Sequence, residues 1–506
     1  MKTKFKLLAA VTMAFGLFSC NSDDGLDNTA PNEPGILGNA ETYATIRIAM
    51  PGGGEATGRA FTKTDPENGD DFEKGTETEN TFNSVSLYFF DGHISTSTCK
   101  GVLTMDKSLF SQGENTEDKT IIYTSTAQKV GIEGVDMSVY AVVNGGISGV
   151  NTGTKLTDFL GKTVTTSEAI NDSWLLMSSR TPGKVTISAD TNKTEETAAS
   201  LSVSVERTAA KITYKAENTT PGQENQYSVK SEKEPLTEVA TVTLTDYKLV
   251  NLRNDAYFFR KVAGSNGEWL TEKNFGNGKQ TGNNYVIDPK FAEKTVEAAK
   301  DPDFKPTWFG EGKAYAANGD TYTVLPKVAE HTRLGYCMEN TMGQDAQLNG
   351  YSTGIIFKAT YTPKKVNVLK QDQSGFEEKD YEPGTAFYRY ANALYKMKNE
   401  VINYYKLSED TDLIDEYKGD NAKGATCYYK YWIKHMDNGN AEQMGIMEFA
   451  IVRNNAYKLS VNKVSGLGDP DDTIDPETPD ETSKMYLDVK VTILPWVVRN
   501  NEGIIL

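Results

Sequence analysis

GYSTG at 350–354 has the G-x-S-x-G spacing, which in hydrolases sets a serine nucleophile on a sharp strand-to-helix turn beside a general base. Here Ser352 is followed by Ile355, Ile356 and Phe357, a run that continues as a strand, and His435 is the only histidine downstream. With no acid–histidine pairing in view, the spacing predicts a turn entering a strand. Cys99, Cys337 and Cys427 fit no CxxC or zinc pattern and allow at most one disulfide. His93 and His331 each precede a cysteine by six residues, a coincidence that matches no metal site. GDPDDTIDPETPDETSK (468–484) clusters aspartates, but its three prolines and the missing DxDxDG spacing argue against calcium. No HExxH, GxxxxGK[ST] or strand-linked GxGxxG occurs. Carboxylates are numerous enough to leave a paired-carboxylate hydrolase open. YYKYW (428–432) could stack a sugar, although strand aromatics are mostly core or cross-strand partners. No residue pattern here requires catalysis, a cofactor or a metal.

The N-terminus carries a different chemistry. MKTKFKLLAAVTMAFGLFSC has a lysine-bearing start, an apolar stretch from Leu8 to Phe18 and a small residue before Cys20, the layout of a secretory signal peptide. LFSC resembles the lipobox of bacterial lipoproteins, in which the cysteine thiol receives a diacylglycerol and becomes the new N-terminus. NSDDGLD directly after it resembles the surface-export tags of some Gram-negative lipoproteins. Acyl chains buried at ~0.8 kcal/mol per methylene hold a protein on a membrane without a spanning helix. After residue 20 no apolar run approaches the length needed to cross a bilayer. The formal charge is -17 over 506 residues, and -20 once Lys2, Lys4 and Lys6 are removed with the signal. Such acidity argues against nucleic acid and anionic membrane surfaces as partners.

The elements that must position any function read as strands. YATIRIAM (43–50) puts Ala44, Ile46, Ile48 and Met50 on one face. PGGGEATGRAFTKTDPENGDD then breaks regular structure. NSVSLYFFDG (83–92), TIIYTS (120–125), DMSVYAVVNGG (136–146), KVTISA (184–189) and LSVSVERTAAKITYKA (201–216) complete a first group. Strands at this density, bounded by Asn-Gly and Gly-rich turns, indicate a β-sandwich. A second group holds EVATVTLTDYKLVNL (238–252), STGIIFKATYTP (352–363), ATCYYKYWIKH (425–435) and NNAYKLSVNKVSGLG (454–468). Helices are expected over 290–300 and 391–405. The 468–484 stretch reads as a solvated, self-repelling linker. Beyond it MYLDVKVTILPWVVRNNEGIIL (485–506) alternates Leu487, Val489, Val491 and Ile493 against Asp488, Lys490 and Thr492, the clearest strand pattern in the chain.

Four stretches together resemble the FimA/Mfa family of major fimbrial subunits, the fimbrillins of type V pili, nearest the Mfa-type. They are VERTAAKI (205–212), YCMENT with GIIFKATYTP (336–363), VRNNAYKLSVNKVSGLG (452–468) and DVKVTILPW (488–496). The resemblance implies an all-β chain of two transthyretin-like β-sandwich domains and no enzyme activity. It implies a signal peptide over 1–19, a lipidated propeptide over 20–59 that includes the first strand, and sandwich domains over 60–216 and 217–467. The linker (468–484) and a donor strand (485–506) follow. The implied life cycle is export as an outer-membrane lipoprotein, cleavage by an arginine-specific protease, and polymerisation by strand exchange into a cell-surface fimbria serving adhesion and biofilm formation. Its partners would be identical subunits, accessory fimbrial proteins, the lipid anchor of the precursor and that protease. Arg59, before Ala60, matches the cleavage arginine in setting, whereas Arg47 lies within the strand itself. The donor would comprise Leu487, Val489, Val491, Ile493 and Leu494, with Trp496, Val497 and Val498 past the bend at Pro495. An accessory or tip adhesin of the same fimbria, and a surface glycan-binding lipoprotein, are the competing functions.

Overall fold

The computed structural model describes residues 38–51, 73–114, 120–231, 234–261, 286–304, 321–420, 423–440, 442–481 and 486–497. Among them the chain is nearly all β, in several sheets and with short helices only. The alternating runs become strands where their apolar faces meet one another.

In the first body one sheet runs in the order Cys99–Asp106, Ser84–Phe90, Gly134–Val143, Met177–Ser179, Ala199–Arg207, Tyr43–Ala49, Ile121–Ser125, Phe110–Glu114. It encloses one apolar cluster that includes Ile46, Ile48, Leu87, Phe89, Val139, Leu201 and Val203. The second body pairs two sheets. One holds Thr332–Cys337, Ala210–Lys215, Asn455–Val464, Leu487–Val497 and Glu73–Lys74; the other holds Gln226–Lys230, Glu238–Val250, Gly354–Pro363 and Ala425–Trp432. Tyr214, Leu244, Phe357, Tyr429, Leu459 and Val461 fill the space between them. A small sheet, Lys365–Leu369 to Asp415–Tyr417, packs beside this body with the helix Lys398–Tyr405. A third cluster joins the two bodies, with Phe90, Tyr140 and Phe159 from the first meeting Phe258, Phe259 and Tyr336.

Three expectations change. The 201–216 run is not one strand. It divides between Ala199–Arg207 in the first sheet and Ala210–Lys215 in the second, so the boundary expected at 216 lies after a strand of the second body. Period-two alternation fixes which face a residue takes but not which sheet receives it. Helix over 290–300 shrinks to a 3-10 turn at Phe291–Glu293 and one turn at Val296–Ala299, and that over 391–405 to Lys398–Tyr405 after a strand at Ala393–Tyr395. Of the 468–484 stretch, residues 468–481 are no free tether, as their contacts below show.

Candidate functional site

Two strands of matching pattern occupy unequal places. Tyr43–Ala49 lies inside its sheet, parallel to Ala199–Arg207 on one side and antiparallel to Ile121–Ser125 on the other. Ala44, Ile46 and Ile48 are 0% exposed and Met50 is 1%. Arg47 projects from the opposite, exposed face. The expected cleavage pair, Arg59 and Ala60, and the expected lipidation site, Cys20, lie outside the described residues.

Leu487–Val497 is docked on its own subunit. It runs antiparallel to Asn455–Val464, placing Val489 opposite Val461, Val491 opposite Leu459, Ile493 opposite Tyr457 and Leu494 opposite Ala456. Leu487 is buried, while Val489, Val491 and Ile493 are only partly buried against the core. At its far end the backbone of Trp496 and Val497 pairs in parallel with Glu73 and Lys74; Val498 lies outside the described residues.

The segment that follows the expected cleavage loop is thus a clamp on the tail. Glu73 makes ion pairs with Lys211 (3.0 Å) and Lys458 (3.2 Å). Glu79 is 1% exposed, pairs with Lys211 at 3.1 Å and accepts from the Tyr336 hydroxyl at 2.6 Å. Arg207 donates to the Glu79 carbonyl and to Asn80 Oδ1. Burial pushes both carboxyls up, but the lysine charges and hydrogen bonds outweigh it and hold them below the usual glutamate range. No sequence signal marks this clamp, because Lys211 and Glu79 stand 132 residues apart.

The other end of the tail is anchored through 468–481. Asp469 pairs with Lys430, Asp472 with Lys248 and the Tyr322 hydroxyl, and Glu481 with Lys434. Main-chain bonds from Asn349 to Thr478 and from Asp480 to Gln347 tie the turn down. Lysines distributed over distant strands neutralise what looked in sequence like self-repulsion. Lys434 also lies among Asp437, Glu448 and Glu481, so an ammonium stands where those carboxylates converge.

The hydrolase-like serine is structural. Ser352 is 0% exposed and donates to Asp480, Gly354 opens a strand, and His435 Nδ1 lies 2.7 Å from the Tyr457 hydroxyl. Burial pushes the Asp480 carboxyl well above its usual range. Cys99, Cys337 and Cys427 are buried free thiols.

Residues 422–502 match the family model described as "Major fimbrial subunit protein type IV, Fimbrillin, C-terminal". This stretch is similar to a fimbrillin C-terminal region. That region includes the Ala425–Trp432 and Asn455–Val464 strands and the whole described tail, so the fimbrillin match falls on the docked strand and its neighbours. Solved structures similar to the chain include a fimbrilin (FimA) of Porphyromonas gingivalis, 15% identical with a TM-score of 0.39, over 91% of this chain and 99% of that one. The tip fimbrial protein Mfa3 of Porphyromonas gingivalis is 11% identical with a TM-score of 0.33, over 90% of this chain and 100% of that one. No curated protein matches the chain.

Proposed function

We propose that this chain is a structural subunit of a cell-surface fimbria, polymerised by donor-strand exchange. Supporting this reading is one observation: the first described strand buries Ala44, Ile46, Ile48 and Met50 on its inner face, and the tail strand carries a matching period-two set, Leu487 buried and Val489, Val491 and Ile493 half-buried. Cutting after Arg59 separates the first strand from the body covalently. Its loss leaves an apolar groove with unpaired edges between 199–207 and 121–125. A neighbour's tail can fill that groove by β-augmentation. Buried anchors at ~1.5–3 kcal/mol each and backbone hydrogen bonds at ~1 kcal/mol each make the joint durable after ordering costs. Twenty-two extended residues, 485–506, reach up to ~70 Å, enough to span a neighbouring domain.

Exchange requires the tail to leave its own sheet first. The clamp at 73–80 and the bonded turn at 468–481 set the cost of that release. Export as a lipoprotein through Cys20 places the precursor at the outer membrane before cleavage. The test is polymer laddering after digestion with an arginine-specific protease. Wild type should ladder with a mature N-terminus at Ala60, Arg59→Ala should stay monomeric, and Val491→Asp should fail to ladder while its cleavage proceeds. A mature start other than Ala60 rejects the cleavage site. Normal laddering by Val491→Asp rejects the tail as donor.

A further inference from the structure

Lys294, Asp288 and Asn340 meet in the second body at 5%, 2% and 0% exposure. Lys294 Nζ donates at 2.6 Å to Asp288 Oδ2, at 2.6 Å to Asn340 Oδ1 and at 2.8 Å to the Thr341 carbonyl. The Asn340 amide is fixed in orientation, because its Nδ2 donates to the carbonyls of Asn251 and Tyr351 and to Thr353 Oγ1. That leaves its carbonyl facing the lysine. Asp288 is held equally firmly: Oδ2 accepts from the Thr341 amide at 2.7 Å and Oδ1 from the Lys290 amide at 2.7 Å. Arg253 Nε stands 3.9 Å from Oδ1. A 3-10 turn at Phe291–Glu293 delivers Lys294, and Tyr351 seals it by donating its hydroxyl to the Thr295 carbonyl.

We infer that Lys294 and Asn340 form an intramolecular isopeptide bond, with Asp288 as the proton carrier. A buried ion pair is a weak stabiliser by itself, since desolvation offsets most of its attraction. The same three groups are, however, the complete set for amide exchange. Burial pulls the lysine down to about 8, against attraction from Asp288, so a neutral amine is within reach at ordinary pH. An ammonium carries three protons. One passes to Asp288 along the 2.6 Å hydrogen bond. The freed electron pair attacks Cγ of Asn340, making a new C–N bond. Asp288 delivers that proton to Nδ2 and then takes a second from the attacking nitrogen; the old C–N bond breaks, and ammonia leaves, collecting the second proton from Asp288 as ammonium. The third proton stays on the new amide. Nothing is oxidised or reduced, and the three groups are 5% exposed or less. Fixed geometry replaces the encounter of two free reactants, which is what makes so poor an acyl donor usable.

Under the polymerisation proposed above, the bond would brace the region that holds the tail. Asn340 bridges to Ile451, in the segment leading into the strand that carries the tail.

Mass spectrometry of the purified full chain, denatured and digested with trypsin, decides it. A bonded Lys294 resists trypsin, so 291–300 should appear joined to 334–358, with a combined mass lower by one ammonia, about 17 Da. Asp288→Asn, close in size, should keep the thermal transition of a folded protein and give 291–294 and 334–358 as separate linear peptides. Wild type yielding those linear peptides alone overturns the proposal. An Asp288→Asn protein that is still branched overturns the role given to Asp288.

Discussion

The first and last strands of this chain are written in the same code and used differently. Tyr43–Ala49 is paired on both sides, and its inner residues have no contact with solvent. Among the described residues Leu487–Val497 has a full partner on one side and only the two-residue Glu73–Lys74 bridge on the other, with Val489, Val491 and Ile493 half-buried. The difference shows how one apolar alternation can be seated at two depths in the same molecule. The first strand is held by partners on both sides of its sheet, whereas the tail contributes only Leu487 to a buried core and lays its other anchors against it half-exposed. Centrality in the sheet, rather than apolar pattern, separates them.

Stability measurements can break that contrast. Ile46→Ala should cost about 2–5 kcal/mol, the range for truncating a fully buried aliphatic side chain. Val491→Ala removes half-buried methyl groups and should cost about 1 kcal/mol, near the value for a single buried methylene. Denaturant unfolding of the two uncleaved variants compares them directly, and equal costs would falsify the ranking of the strands.

Acid sharpens it at the clamp. Glu73 and Glu79 are held below the ordinary glutamate value of 4.5, so their contribution is complete above pH 4.5 and is lost as pH falls through their lowered values. The docked tail should therefore loosen below pH 4.5, and proteolysis of the tail at graded pH would report it. In Glu79→Gln the acid step should shrink, since only Glu73 remains to titrate there. An unchanged pH profile would show that the clamp does not hold the tail.

The smallest effect belongs to Lys490→Ala. Its side chain alternates with the anchors and takes the other face, so stability should shift by no more than about 0.5 kcal/mol, the usual limit for surface substitutions. Laddering should be unchanged. A large loss at this position would mean that both faces of the tail are read during assembly.

Much of this was legible in the residues because alternation is a local property. YATIRIAM, the 238–252 run and DVKVTIL each announce a strand and its inner face, since side chains two apart must share a side. G-x-S-x-G was recognisably a turn into a strand for the same reason. Facing, strand positions and the all-β class follow from neighbours in sequence. Pairing does not, because hydrogen bonds between strands carry no residue code. LSVSVERTAAKITYKA therefore gave no sign that it serves two sheets, and the acidic 468–481 turn gave none of the lysines at 248, 430 and 434 that neutralise it. The tail's docking beside Glu73 and the meeting of Lys294 with Asp288 and Asn340 were decided by tertiary structure alone, which sets the distances between charges and the solvent left around them.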